Sequence, residues 1–275
     1  MLINGRPSEH VNASDRGLQY GDGLFETIAV VDGEPKLWDR HMARLSLGEA
    51  RLGIPSHNGA KLLAESLKLA QGKQRAVLKI IITRGAGGRG YRPAVATKPT
   101  RILNIGPWPD RPREWYLSGI GLRICKTQVG RNKRLAGIKH LNRLEQVLAR
   151  QEWDDPNIPE GLMLDEYRHV IEGTQSNLFL LQGETLLTPK LTHAGVAGVV
   201  RDLVLDIARE LGLETLEADI PVSQITEADA LFLTNSLLGL CPVAHVEGRY
   251  FDIGCIPSTL REMVQARCLG PGSGI

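Results

Sequence analysis

Between residues 106 and 112 the chain reads Gly-Pro-Trp-Pro-Asp-Arg-Pro, and no other segment limits the fold so strongly. A proline lacks an amide hydrogen and holds φ at about −65°, so Pro107, Pro109 and Pro112 together do not suit the interior of a helix or a sheet. An interdomain linker accommodates them, and the length prior for 275 residues is about two domains. We place an N-terminal domain at 1–106, the linker at 107–116 and a C-terminal domain at 117–275.

The two halves carry different patterns. Before the linker, strand-like runs at Met1 to Ile3 and Leu24 to Val31 end in Asn4-Gly5 and Asp32-Gly33, dipeptides that favour tight hairpin turns. Apolar spacing predicts helices over 37–52 and 60–70, and apolar β-branched runs predict strands over 76–82 and 101–105. This half is therefore α+β with antiparallel pairing. After the linker, strands are predicted over 120–126, 162–164, 177–181 and 230–234, interleaved with helices over 140–151, 199–211 and 258–267. That alternation predicts a mixed α/β domain whose strand ends converge on one cleft. The tail Gly270 to Ile275 is expected to be disordered.

Composition removes several classes of function. A net charge of +2 argues against a dedicated nucleic-acid binder. No apolar run approaches the roughly 18 residues of a membrane span, and the polar N-terminus lacks the apolar stretch of a secretory signal. Cys125, Cys241, Cys255 and Cys268 form no Cys-x-x-Cys and have no histidine at metal spacing, so neither a metal site nor a disulfide framework is expected. A reducing, cytoplasmic setting is the default that follows.

Between Trp115 and Leu144 there is no Asp or Glu but there are seven Lys and Arg. With Arg-Gly-Ala-Gly-Gly-Arg-Gly-Tyr at 84–91, this run suggests an arginine-glycine nucleic-acid module. The low net charge and the presence of only Trp115 and Tyr116 as aromatics beside the run weigh against it.

Lys139 stands within the basic run, after an Ala-Gly step and before Leu141, Leu144 and Leu148 at helical spacing. A lysine at a loop-to-helix junction has a fixed backbone and a side chain able to reach a cleft. Lysine also forms Schiff bases with carbonyl compounds, pyridoxal phosphate among them. On residue type alone a solvated basic turn is the competing reading.

A phosphate-bearing aldehyde on Lys139 needs an anion site and a partner for its ring nitrogen. Ala194 to Arg201 offers the first, because glycines allow close approach and the first-turn amides of a helix opening after Gly198 lack intrahelical acceptors. Arg44, in His41-Met42-Ala43-Arg44-Leu45, adds a permanent charge, and Thr234 to Gly239 ends a strand with hydroxyls and an amide. Glu172, just before Gly173, offers the second, since a carboxylate on the pyridine nitrogen keeps that ring protonated and electron-withdrawing. Each feature taken singly is equally a plain helix start, an exposed arginine, a turn or a strand-end glutamate.

Their joint order is more informative. Tyr20 to Thr27, the His41 to Leu45 segment, the Lys139 segment, Glu172-Gly-Thr-Gln-Ser-Asn-Leu-Phe179 and Gly195 to Arg201 together resemble the fold-type IV pyridoxal-phosphate enzymes. That family contains branched-chain and D-amino-acid aminotransferases and 4-amino-4-deoxychorismate lyase. The resemblance implies a two-domain fold, with a smaller N-terminal α+β domain and a larger C-terminal α/β pseudo-barrel. It also implies pyridoxal 5'-phosphate as cofactor, a small-molecule substrate and a homodimer. By the same resemblance Lys139 is the catalytic residue and covalent anchor, and Glu172 pairs with the ring nitrogen. Arg44, Asn177, Ser236 and the backbone of Val199 and Val200 hold the rest of the cofactor.

Arg89 and Tyr91 match the place where D-amino-acid aminotransferases trap a substrate carboxylate, and Phe25, Glu26, Thr27, Arg143 and Leu237 are assigned to the substrate side. Where the family's aminotransferases place a tyrosine near the cofactor's phenolic oxygen, this chain has Asn142-Arg143. Arg84 to Tyr91 and Leu135 to Ala149 look more like the lyase branch. The implied activity is thus a carbon-oxygen lyase of folate biosynthesis, with a D-amino-acid or branched-chain aminotransferase as the alternative.

Overall fold

The computed structural model describes residues 1–270; residues 271–275, on which the expectation of a disordered tail mainly falls, lie outside the described residues. The chain forms two compact units, one from Met1–Pro109 with Ile138–Asn142, the other from Asp110–Gly137 with the chain from Arg143 onward. Where the sequence suggested one division, the lysine segment thus returns to the first unit.

The first unit contains β1 (Leu2–Ile3), β2 (Arg6–Pro7), α1 (Arg16–Tyr20), β3 (Gly23–Val31), β4 (Glu34–Pro35), α2 (Trp38–Leu52), α3 (Gly59–Ala70), β5 (Arg75–Thr83) and β6 (Thr100–Pro107). Its sheet has the order β2-β1-β6-β5-β3-β4, and every pairing is antiparallel. At the β3–β4 hairpin both Asp32 (φ 51°) and Gly33 (φ 78°) are left-handed, the geometry that matches the twist of paired strands. Helix α2 buries His41, Leu45, Gly48 and Glu49, one face of the helix. A Cβ on Gly48 would meet Leu24 at 2.7 Å, so the missing side chain lets α2 lie close to β3.

The second unit contains α4 (Glu114–Leu117), β7 (Ile120–Ile124), α5 (Leu144–Arg150), β8 (Glu160–Leu164), β9 (His169–Gly173), β10 (Asn177–Gln182), β11 (Thr185–Pro189), α6 (Val199–Glu210), β12 (Glu214–Ala218), β13 (Ile220–Pro221), β14 (Ala230–Asn235), β15 (Gly239–Val246), β16 (Arg249–Tyr250) and α7 (Ser258–Leu269). The strands form one sheet ordered β12-β11-β10-β14-β15-β7-β8-β9-β13, with β16 beside β15. Parallel pairs (β11 with β12, β15 with β7, β7 with β8) stand among antiparallel ones, so the unit is mixed α/β. Leu122, Leu162, Leu178, Leu180, Leu231 and Leu233 belong to its core, and on the other face of β10 and β14 the buried Phe179 and Phe232 stack with ring centroids 4.9 Å apart.

One predicted element is corrected. The helix expected over 140–151 begins only at Leu144. Before it, the Phe25 amide donates to the Lys139 carbonyl (2.9 Å) and the Leu141 amide to the Gly23 carbonyl (3.0 Å), so these groups serve β3 instead of a helix. Nor is the Leu144/Leu148 stripe core, since those residues are 75% and 55% exposed.

Candidate active site

In the first unit, alternation along β3 puts Leu24, Glu26 and Ile28 on a buried face and leaves Phe25 and Thr27 half-buried on the other. Glu26, 1% exposed, meets two residues one helical turn apart on α2. Arg44 donates to it from Nε at 2.9 Å and from Nη2 at short range, and His41 Nδ1 lies 2.7 Å from Oε2. Burial pushes the Glu26 carboxyl up, but the Arg44 guanidinium and the His41 hydrogen bond outweigh it and bring the pKa down to about 2. The imidazole of His41 is held below its ordinary range, first by burial and then by the charges of Arg44 and Lys139, against the pull of Glu26. A neutral His41 beside an ionised Glu26 carries its proton on Nδ1, which leaves Nε2 as a lone pair. That atom is buried and has no hydrogen-bond partner among the described residues.

Lys139 is half-buried, its carbonyl is fixed to β3, and its Nζ lies over the Phe25 ring, 4.4 Å from the centroid. Arg89 is exposed and Tyr91 is 85% exposed. Their loop is gripped from beneath by the buried Arg16, whose guanidinium donates to the carbonyls of Gly90 and Tyr91, each at 2.8 Å.

In the second unit, Glu172 on β9 and Asn177 at the start of β10 are 4% and 5% exposed. Both hold the backbone of Val196. The Val196 amide donates to Glu172 Oε2 at 2.8 Å, and Asn177 Nδ2 donates to the Val196 carbonyl at 2.9 Å. The turn so fixed leads into α6, whose N-cap, Gly198, supplies no side-chain cap. The first-turn amides of Val199 and Val200 therefore keep their capacity to bind an anion. A Cβ on Gly198 would approach Asn177 Oδ1 to 1.9 Å, and one on Gly195 (φ 81°) would meet Ile171 at 2.8 Å and Glu172 Oε2 at 3.3 Å, so glycine alone allows the chain to pass here.

Thr234 faces Asn177 across β10 and β14. It is 1% exposed, and its hydroxyl has no partner among the described residues. Ser236 and Leu237 follow in a half-buried loop shaped by Asn235, whose Oδ1 accepts from the Leu237 and Leu238 amides at 3.0 and 2.8 Å. Arg143 stands at the N-terminal boundary of α5. Burial pushes the thiols of Cys125 and Cys241 up to about 12. Among the described residues no cluster of potential metal ligands is found, and no helix is long and apolar enough to cross a membrane.

The residues fit a phosphorylated pyridine cofactor. An uncapped helix start and a buried, unpartnered hydroxyl suit its anionic end, and a buried carboxylate with a fixed orientation suits its ring nitrogen. Two features were not singled out from sequence. The Glu26–His41 bond had a signal in the i, i+3 spacing of His41 and Arg44, while the shared hold on Val196 had none.

Comparison with known proteins agrees with this chemistry. Residues 23–246 match the family model for class IV amino-transferases. An aminodeoxychorismate lyase from Vibrio harveyi is 37% identical over 89% of this chain and 90% of its own. A D-alanine aminotransferase from Bacillus licheniformis is 28% identical over 96% of this chain and 94% of its own. The crystal structure of 4-amino-4-deoxychorismate lyase from Pseudomonas aeruginosa superposes with a TM-score of 0.93 at 42% identity, covering 98% of this chain and 99% of that one.

Proposed function

Because the chain belongs to the class IV amino-transferase family, we propose that it is a pyridoxal-phosphate-dependent lyase converting 4-amino-4-deoxychorismate to 4-aminobenzoate and pyruvate, a step of folate biosynthesis. The observation that carries the cofactor assignment is the joint hold of Glu172 and Asn177 on the backbone of Val196, in the turn that opens into α6. When bound, the cofactor supplies an electron sink for the charge left by proton removal.

The residues of this chain do the rest. Lys139 would hold the cofactor through Nζ and, as a free amine, would take the C4 proton of the substrate as general base. Glu172, whose carboxylate the Val196 amide aims, would keep a proton on the pyridine nitrogen. The amides of Val199 and Val200, with Arg44, Asn177 and Ser236, would hold the phosphate end and orient the ring. Phe25, Thr27, Arg89, Tyr91, Arg143 and Leu237 are assigned to the substrate, whose carboxylates suit the two arginines. Loss of the enolpyruvyl group makes the substrate ring aromatic, so the reaction needs no keto acid as second substrate.

An aminotransferase is the second reading, favoured by the similarity to a D-alanine aminotransferase. The purified protein supplied with 4-amino-4-deoxychorismate alone should release 4-aminobenzoate and pyruvate together through many turnovers. Failure to do so, with conversion of the bound cofactor to its amine form by a D-amino or branched-chain amino acid, would replace the lyase by the aminotransferase. The reading includes a homodimer and a cytoplasmic location; the exposed Leu144, Val147 and Leu148 support an association surface on α5, and light scattering would show the mass of two chains.

A further inference from the structure

We propose that Glu160 is a positioning residue for the cofactor's carboxylate partner: the turn from Glu172 to Asn177 is built around the Glu160 side chain. The proposal rests on the cofactor assignment above. Glu160 opens β8 and is 4% exposed. Its Oε1 accepts from the amides of Gly161 (3.1 Å) and Thr174 (2.9 Å) and, at short range, from the Thr174 hydroxyl. Its Oε2 accepts from the Gln175 amide (3.2 Å) and the Ser176 hydroxyl (2.8 Å). Three successive residues of a four-residue connection thus donate to one carboxylate. The remaining one, Gly173, passes so close that a Cβ there would meet Ser176 Oγ at 2.3 Å and Glu160 Cδ at 3.2 Å.

Among the described residues only neutral donors bond this carboxyl group and no cation does, a costly way to close a turn because nothing of opposite charge offsets its desolvation. What it adds is geometry. Five donors converging on two oxygen atoms allow one arrangement of the turn, and the two residues at its ends are the pair that holds Val196. The Gln175 carbonyl also accepts from Asn235 Nδ2 at 3.3 Å, which ties the same turn to the loop carrying Ser236 and Leu237. An amide at position 160 would present hydrogens to donors on one side, so the turn would have to open and Glu172 would lose its aim.

A double-mutant cycle on the holoenzyme tests this, with kcat, KM and the titration of apoprotein by pyridoxal phosphate as readouts. Glu160→Gln should lower kcat about tenfold with KM changed less than about twofold, and weaken cofactor binding, as misplacement of a reacting group does. In a Glu172→Gln background the same substitution should lower kcat by less than about threefold, because the residue acts through Glu172. Equal losses in both backgrounds would overturn the proposal while leaving the cofactor assignment intact. Full turnover by Glu172→Gln alone would overturn the assignment and the proposal with it. If Glu160→Gln does not fold, Thr174→Val and Ser176→Ala each remove one donor, and unchanged cofactor titration in both would also overturn it.

Discussion

Glu26 and Glu160 are the same side chain under nearly the same burial, 1% and 4% exposed, and they are kept in the molecule by opposite means. Glu26 faces a guanidinium and an imidazole, and its pKa falls to about 2. Glu160 is surrounded by amides and hydroxyls, and burial pushes its carboxyl above the ordinary range although five hydrogen bonds favour the anion. Burial alone therefore does not fix the state of a carboxyl group; a full opposite charge at contact outweighs desolvation where dipoles do not. The first arrangement suits a permanent ion pair behind the lysine segment, the second a turn whose shape matters more than its charge.

The largest test of this contrast is Arg44→Met. It leaves Glu26 buried without its cation and should cost about 3–5 kcal/mol in urea denaturation of the apoprotein. A loss below that of Glu160→Gln would break the comparison, since the neutral amide at 160 still accepts on one side and should cost only about 1–3 kcal/mol.

A smaller effect distinguishes the two carboxyl groups by pH. The depressed pKa of Glu26 means that its stabilisation is fully present above the ordinary value of 4.5 and is lost as pH falls through about 2. The raised pKa of Glu160 has the reverse sign: its contribution is present below 4.5 and is lost as pH rises through the raised folded value. Stability measured against pH should therefore lose its acid limb in Arg44→Met and flatten on the rising side in Glu160→Gln; the same limb vanishing in both would contradict the assignment. The smallest effect belongs to the exposed pair of Arg267 and Glu210, which bond at 2.6 and 2.9 Å. Water screens it, so Arg267→Ala should leave thermal melting unchanged.

The elements visible in the sequence were those whose local pattern and tertiary role agree. The Asp32-Gly33 hairpin, α2 with its buried face and α6 with Val199, Leu203 and Ile207 turned inward all follow from spacing. Strand β12, Glu214-Thr-Leu-Glu-Ala, is too charged to signal a strand and exists because β11 accepts it on one side. Strand β15 contains Pro242, which sequence rules place outside strands, yet it pairs opposite Phe232. The Lys139 segment failed differently: its leucine spacing is helical, but the bonds to β3 take precedence.

At the site, the residue types were legible because lysine, glutamate and a glycine turn suit one cofactor. Glu160 was not, because a glutamate before Gly161 carries no pattern that tells of donors at 174–176. Nor does the sequence indicate that Thr234 would be buried with a bare hydroxyl.

The central claim is that Lys139 carries the cofactor, and covalent trapping tests it most directly. Pyridoxal phosphate added to the protein and fixed with borohydride should appear, after proteolysis and mass spectrometry, on the peptide containing Lys139, and Lys139→Ala should abolish both the label and the visible absorption. A label on any other lysine, or full retention of that absorption in Lys139→Ala, would contradict the account.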